Sequence, residues 1–172
     1  MLFFGFIPLF LLTGSGKADV VESNLDNGTY HFSISGTLNS EIDGRATFQN
    51  RIEVDGFGEK VHKLFLNFGS DESKVIHTIE FIIASRKGLQ RGVSKGVYKI
   101  KNLDRLINKF NGVYGIADLG GFSELPFFIK TGEINILESY SDEVDGSLEV
   151  QFINANGETL NIEGFFNADL KV

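Results

Sequence analysis

The sequence predicts a mainly β chain, an antiparallel β-sandwich or flattened barrel of about nine or ten strands with one short helix. Three observations carry that expectation. Apolar and polar residues alternate over most of the chain from Thr29 onward, the period of a half-buried strand. Gly, Asn, Asp and Ser cluster between the alternating runs, where turns are needed. Only one segment has helical spacing.

Tyr30, Phe32, Ile34 and Leu38 share one face of the first strand, and His31, Ser33, Ser35 and Thr37 share the other. Asn39-Ser40 is a turn, after which Ile42, Gly44, Ala46 and Phe48 continue the alternation as the second arm of a hairpin. Ile52 and Val54 extend that arm or begin another, and Asp55-Gly56 punctuates it. Leu64, Leu66 and Phe68 point inward on the next strand, followed by a loop at Gly69–Ser73. Val75, His77, Ile79, Phe81 and Ile83 form a further inward row. Ile76 and Ile82 make that strand apolar on both sides, which predicts a central position.

Ser85–Lys95 is polar and basic and reads as an exposed loop, and Gly96–Ile100 as a short strand. Asn102–Asn111 is the helical segment: Leu103, Leu106, Ile107 and Phe110 follow helical spacing, with Asn102 and Gly112 as caps. Val113–Ala117, Phe127–Ile129 and Glu133–Leu137 look extended, while Pro126 argues against a central strand at its own position. The closing hairpin is the clearest. Val144, Gly146, Leu148, Val150 and Phe152 alternate before Asn156-Gly157; Leu160, Ile162, Gly164, Phe166, Ala168 and Leu170 alternate after it. Asn-Gly predicts a type I′ turn, and the rows predict Phe152, Ile162 and Phe166 in the core. Glu41-Ile42-Asp43-Gly44 is echoed by Glu143-Val144-Asp145-Gly146, a similarity that convergence on good turn chemistry explains.

Leu2–Leu12 is an unbroken apolar run, followed by small and polar residues to Ala18. This is the pattern of a secretory signal peptide, and it is shorter than the roughly 17–25 residues that span a bilayer. We therefore expect residues 1–18 to be a signal peptide cleaved after Ala18, with cleavage after Gly16 as the alternative. Residues 19–172 then form a single domain in the periplasm or outside the cell, with no stable membrane span. The n-region is Met1 alone, which leaves open a start further upstream. Leu12-Thr13-Gly14-Ser15 resembles a bacterial lipobox with Ser15 in place of the lipidated Cys. Thioether formation needs a thiol, and the chain has no Cys, so as written it is not lipidated.

The 172 residues carry 16 basic and 23 acidic side chains, a net charge of −7, and removing the leader with Lys17 makes the rest one unit more acidic. No dense cationic patch is present, so nucleic acid is excluded as a partner. With 17 Phe and no Trp, the core is built on Phe, Ile, Leu and Val.

Gly96-Val97-Tyr98-Lys99-Ile100 looks like the Gly-Thr-Tyr-x-Ile segment of small exported bacterial β-sandwich domains of unknown function, many of them lipoproteins. Thr131–Ile136 looks like their Ser-Gly-Thr-Ile-x-Ile strand, and Val144–Val150 with Gly164–Asn167 is similar to their last hairpin. The resemblance covers roughly the C-terminal half. It implies a fold and an envelope location, and it supplies no catalytic residues.

Chemical motifs are thin. His31, His62 and His77 have no metal-ligand spacing, and His77 sits in an apolar row, so no metal site is read from them. Ser33 follows His31 at i+2, a common polar face and not a triad. There is no Cys nucleophile and no Gly-x-Ser-x-Gly elbow. The carboxylates Asp71-Glu72, Glu138, Asp142-Glu143 and Asp145 lie at turns. Asp142, Glu143 and Asp145 lack the spaced calcium-loop pattern. Gly112–Gly115 and Gly120-Gly121 follow no strand-to-helix pattern, so they predict no phosphate cradle. No catalytic, metal or cofactor-binding residue is therefore nominated, and no cofactor. Three classes stand: a non-catalytic envelope domain binding a protein, glycan or small ligand; a lipocalin-like carrier of an apolar ligand; and a hydrolase.

Overall fold

The computed structural model describes residues 25–54, 58, 60–70, 77–85, 94–100, 112–120 and 122–171. The leader, the lipobox-like segment, Asp71-Glu72 and the helical candidate Asn102–Asn111 lie outside the described residues. Nine strands follow in chain order: β1 (Thr29–Gly36), β2 (Ser40–Val54), β3 (Lys60–Gly69), β4 (His77–Ser85), β5 (Gly96–Lys99), β6 (Gly112–Leu119), β7 (Phe127–Ser139), β8 (Glu143–Ile153) and β9 (Thr159–Leu170). No helix occurs among the described residues.

Eight strands form a closed hydrogen-bonded circuit, β7–β6–β4–β3–β2–β1–β9–β8, and β8 returns to β7. All neighbours in the circuit are antiparallel. An even number of strands is what allows their directions to alternate all the way round. Closure gives each strand a partner on both sides and so removes the exposed edges of an open sheet. β4, expected to be central from its two apolar faces, lies between β3 and β6. β5 stands outside the circuit. It pairs with Glu133–Ile136 of β7, while β6 pairs with Phe127 and Phe128 on the same strand, so β5 takes over the edge that β6 leaves.

The inward rows are those the alternation predicts. Tyr30, Phe32, Ile34, Ile42, Ala46, Phe48, Leu64, Leu66, Phe68, Ile79, Phe81 and Ile83 are all buried, and Phe152, Ile162 and Phe166 are wholly enclosed. Leu170 departs from its row and is 41% exposed, because it ends β9. Phe68 is the hub of the interior. Its ring meets Tyr30 at 5.3 Å, Phe32 at 5.0 Å, Phe81 at 6.0 Å and Phe166 at 5.3 Å, each edge to face. That geometry sets the positive edge of one ring against the negative face of the next.

Glycines lie directly across the strand from four inward rings, and at Gly115, Gly146 and Gly164 an added Cβ would press on the ring. The register pairs Tyr30 with Gly44, Phe32 with Gly164, Phe81 with Gly115 and Phe166 with Gly146. A Cβ at Gly115 would lie 2.8 Å from the Phe81 ring, and one at Gly146 would lie 2.7 Å from the Phe166 ring. The echo between Glu41–Gly44 and Glu143–Gly146 thus has a physical basis, since each glycine faces an inward aromatic. At Gly164 the backbone also demands glycine: φ is +150°, and a Cβ would lie 2.2 Å from the His31 carbonyl oxygen.

The break between Phe127–Ile129 and Glu133–Leu137 is a β-bulge within one strand. Register shifts between Ile129 and Thr131, and Phe127 and Ile129 are buried before it while Ile134 and Ile136 are buried after it. One extra residue moves the inward positions from odd to even numbers. Pro126 sits immediately before the strand, where its missing N–H removes no ladder bond.

The type I′ turn at Asn156-Gly157 is corrected. Among the described residues no non-glycine residue has positive φ, so Asn156 does not take the conformation that type I′ requires. The loop instead runs from Asn154 to Glu158, and the Gly157 N–H donates to the Asn154 carbonyl at 3.1 Å. This is a type I turn with Asn at its first position and Gly at its fourth. The buried Asn154 side chain decides it: its Oδ1 accepts from the N–H groups of Asn156 and Glu158, both at 3.0 Å.

Phe68→Ala is expected to lower stability by about 3–5 kcal/mol, the range for emptying a buried aromatic site. Phe128→Ala, at a side chain 50% exposed on the outer face, should stay within about 0.5 kcal/mol. Urea unfolding of the two variants checks the inward assignment. Gly164→Ala should cost at least the roughly 1–3 kcal/mol of a strained backbone, read as a lower thermal midpoint with no change in ligand-free spectra at low temperature.

Candidate functional site

The outward rows are built by the same alternation that fills the interior. On five adjacent strands they line an open groove of about 480 Å³. β7 contributes Glu133 and Asn135, β8 contributes Ser147 and Glu149, and β9 contributes Glu163 and Phe165. β1 adds His31 and Ser33, and β2 adds Glu41.

Register aligns the carboxylates. Glu133 lies directly opposite Glu149, and Glu149 directly opposite Glu163. Glu163 then faces Ser33, which faces Glu41. Neighbouring strands are about 4.7–4.9 Å apart, so three like charges stand in consecutive contact positions. Direct opposition of like charges destabilises a sheet. Relief exists only at the ends of the row. Lys99 Nζ lies 3.8 Å from Glu133, and His31 Nε2 lies 3.2 Å from Glu41. Among the described residues no cation pairs with Glu149 or Glu163.

The arrangement offers acceptors along a line, amide and hydroxyl groups at Asn135, Ser33 and Ser147, and one apolar surface at Phe165. It suits a ligand with several hydrogen-bond donors and an apolar face. Ser33 and His31 share the groove, and no hydrogen bond joins them.

The remaining residues considered from the sequence lie elsewhere. His77 is on the inward face, His31 on the outward face of β1 and His62 near the start of β3, so the three do not converge. Among the described residues no group of three or more His, Cys, Asp or Glu side chains could hold a metal ion. Glu143 accepts from Asn167 Nδ2 at 2.7 Å, and Glu138 accepts from Lys95 Nζ at 2.5 Å, so both are tied into the sheet. Gly112–Gly115 lies along β6. Comparison with known protein families, characterised proteins and solved structures found no match. The groove therefore has to be read from its own chemistry.

The buried titratable pair is Tyr30 with His77. Tyr30 and His77 are 1% and 5% exposed and hydrogen-bond through the hydroxyl and Nε2. Burial pushes the His77 pKa below the ordinary histidine value, and the Asp43 carboxylate opposes that shift. Burial, and then Asp43, push the Tyr30 hydroxyl well above the ordinary tyrosine range. A second, smaller depression of about 250 Å³ lies outside β4, β6 and β7, lined by Ile82, Tyr114, Ile116 and Phe128. It is largely apolar, and burial raises the Tyr114 pKa there.

The glutamate row was not singled out in the sequence. Glu133, Glu149, Glu163 and Glu41 each look like an ordinary outward residue in an alternating strand, and only the register sets them side by side. Glu149→Gln is expected to stabilise the fold by about 0.2–1 kcal/mol in low salt, because it removes the central charge of the row. The gain should shrink at 1 M salt, where the screening length is about 3 Å. Urea unfolding at the two ionic strengths measures both.

Proposed function

We propose that this chain is an exported, non-catalytic binding domain of the cell envelope, and that the groove across β7, β8, β9, β1 and β2 is its binding face for a glycan. Support for export is the apolar leader Leu2–Leu12 with its small-residue boundary and the resemblance to exported bacterial β-sandwich domains. The observation that carries the binding role is the row Glu133–Glu149–Glu163. Glu149 and Glu163 oppose each other on neighbouring strands with no cation paired to either among the described residues. A fold keeps such a locally unfavourable arrangement when activity needs it. Carboxylates accept hydrogen bonds from sugar hydroxyls, and Phe165 supplies a surface for the apolar face of a sugar ring.

The carrier reading has less support, because the inward rows fill the ring with side chains that are almost wholly enclosed. The closed circuit supports a flattened barrel as the finer description of the fold. Hydrolysis is the second reading, and one observation favours it. Directly opposite residues have Cβ atoms about 4.5–5.5 Å apart, and retaining glycosidases hold two carboxyl groups at about 5–5.5 Å. Glu149 and Glu163 stand directly opposite each other on β8 and β9.

Titration of the protein with soluble oligosaccharides, followed by calorimetry and by product analysis, separates the readings. The binding role expects saturable heat that Phe165→Ala and Glu163→Gln weaken at least about tenfold, a loss of about 1.4 kcal/mol, with no cleavage. Cleavage abolished by Glu149→Gln or Glu163→Gln would replace it with the hydrolase reading. Absence of binding across neutral, acidic and amino-sugar oligomers would remove the glycan.

A further inference from the structure

We infer that the Tyr30–His77 pair is an acid-released latch that holds the start of β4 against β1 and the end of β3. The inference stands on position and hydrogen bonding. His77 is the first residue of β4, and its side chain turns inward onto the Tyr30 hydroxyl of β1. The rings meet edge to face at 6.1 Å, and Tyr30 in turn packs on Phe32 and on the hub Phe68. The His77 carbonyl accepts the Ser70 N–H at 3.3 Å, which ties the end of β3 to the same residue.

The surroundings decide the response to acid. From β1 the titratable group facing His77 is Tyr30, and the Asp43 carboxylate on the outward side of β2 acts on it electrostatically. β3 and β6 place Gly69 and Leu119 beside this end of β4, and neither titrates. The neutral pair is held by the hydrogen bond between the Tyr30 hydroxyl and Nε2. Protonated imidazole is a donor at both nitrogens. Protonation therefore places a cation in a site almost wholly removed from water, beside the aromatic cluster, which favours turning His77 out to water. Above pH about 6.5 neither the folded nor the unfolded state carries the proton. As pH falls below that value the unfolded or locally opened chain binds it first, so closure weakens down to the lower folded value.

Amide exchange and histidine NMR of the wild-type chain test this between pH 7.5 and 4.5. His77 should titrate below 6.5, with its NMR signals showing the ring leaving Tyr30. The equilibrium for opening at the Ser70 and Thr78 amides should rise up to about tenfold per pH unit below 6.5 until His77 is protonated. Amides at the far hairpin, Ile153 and Thr159, should show no such step. His77→Gln should remove the step, and Tyr30→Phe, which preserves the ring, should make Ser70 and Thr78 exchange faster already at pH 7.5. Titration of His77 at or above 6.5, or a step of equal size at the far hairpin, would overturn the latch. So would a Tyr30→Phe variant with unchanged exchange at Ser70 and Thr78.

Discussion

The fold depends on fitting large aromatic rings inside a closed circuit of eight strands. Phe68 meets four other rings, and the pairs Phe32–Gly164, Phe81–Gly115 and Phe166–Gly146 leave no side chain where each ring must lie. A ring brings its inward rows toward one another, so volume added on one strand has to be matched by volume removed on its neighbour. Close packing makes that matching strict, since interiors approach the density of organic crystals. Glycine opposite an aromatic also lets the strand bend, and bending is what a sheet needs to close.

Inner and outer faces are linked through the same register. Once Phe32 is set opposite Gly164, its neighbours Ser33 and Glu163 must face each other on the outside. The same pairing of β8 with β9 sets Gly146 under Phe166 and places Glu149 opposite Glu163. The groove is therefore not an independent addition to the fold. Its line of carboxylates is the outward image of the registers that the inward packing selects, and sliding one strand by a residue would destroy both.

Polar groups inside such a core have to be satisfied locally. Tyr30 and His77 satisfy each other, Asn154 satisfies the turn around it, and Asn167 bonds Glu143. These groups act where strands begin or end, because there the ladder alone leaves backbone and side chains without partners. Among the described residues the acidic turn at Asp142–Asp145 belongs to this category: Glu143 holds Asn167, and the Asp142 carbonyl accepts the Leu170 N–H at 2.8 Å.

Local alternation was sufficient to identify the strands and their inward residues, since a period of two is imposed by backbone geometry and requires no knowledge of partners. It placed Phe152, Ile162 and Phe166 in the core and separated the two halves of β7 where the bulge lies. It misjudged the turn at Asn156-Gly157, where the side chain of Asn154 prevailed over the preference of the dipeptide. The site was not legible at all. Glu133, Glu149, Glu163, Ser33 and Glu41 are spread from residue 33 to residue 163, and each is an ordinary polar position on its own strand. What the sequence by itself determined is which side of each strand is apolar, because that is a property of consecutive residues. Beyond the hairpin neighbours that short turns join, which strands pair, that eight of them close, and that the glutamates meet in one line were decided by tertiary structure alone, because pairing between strands distant in sequence carries no mark in the local sequence.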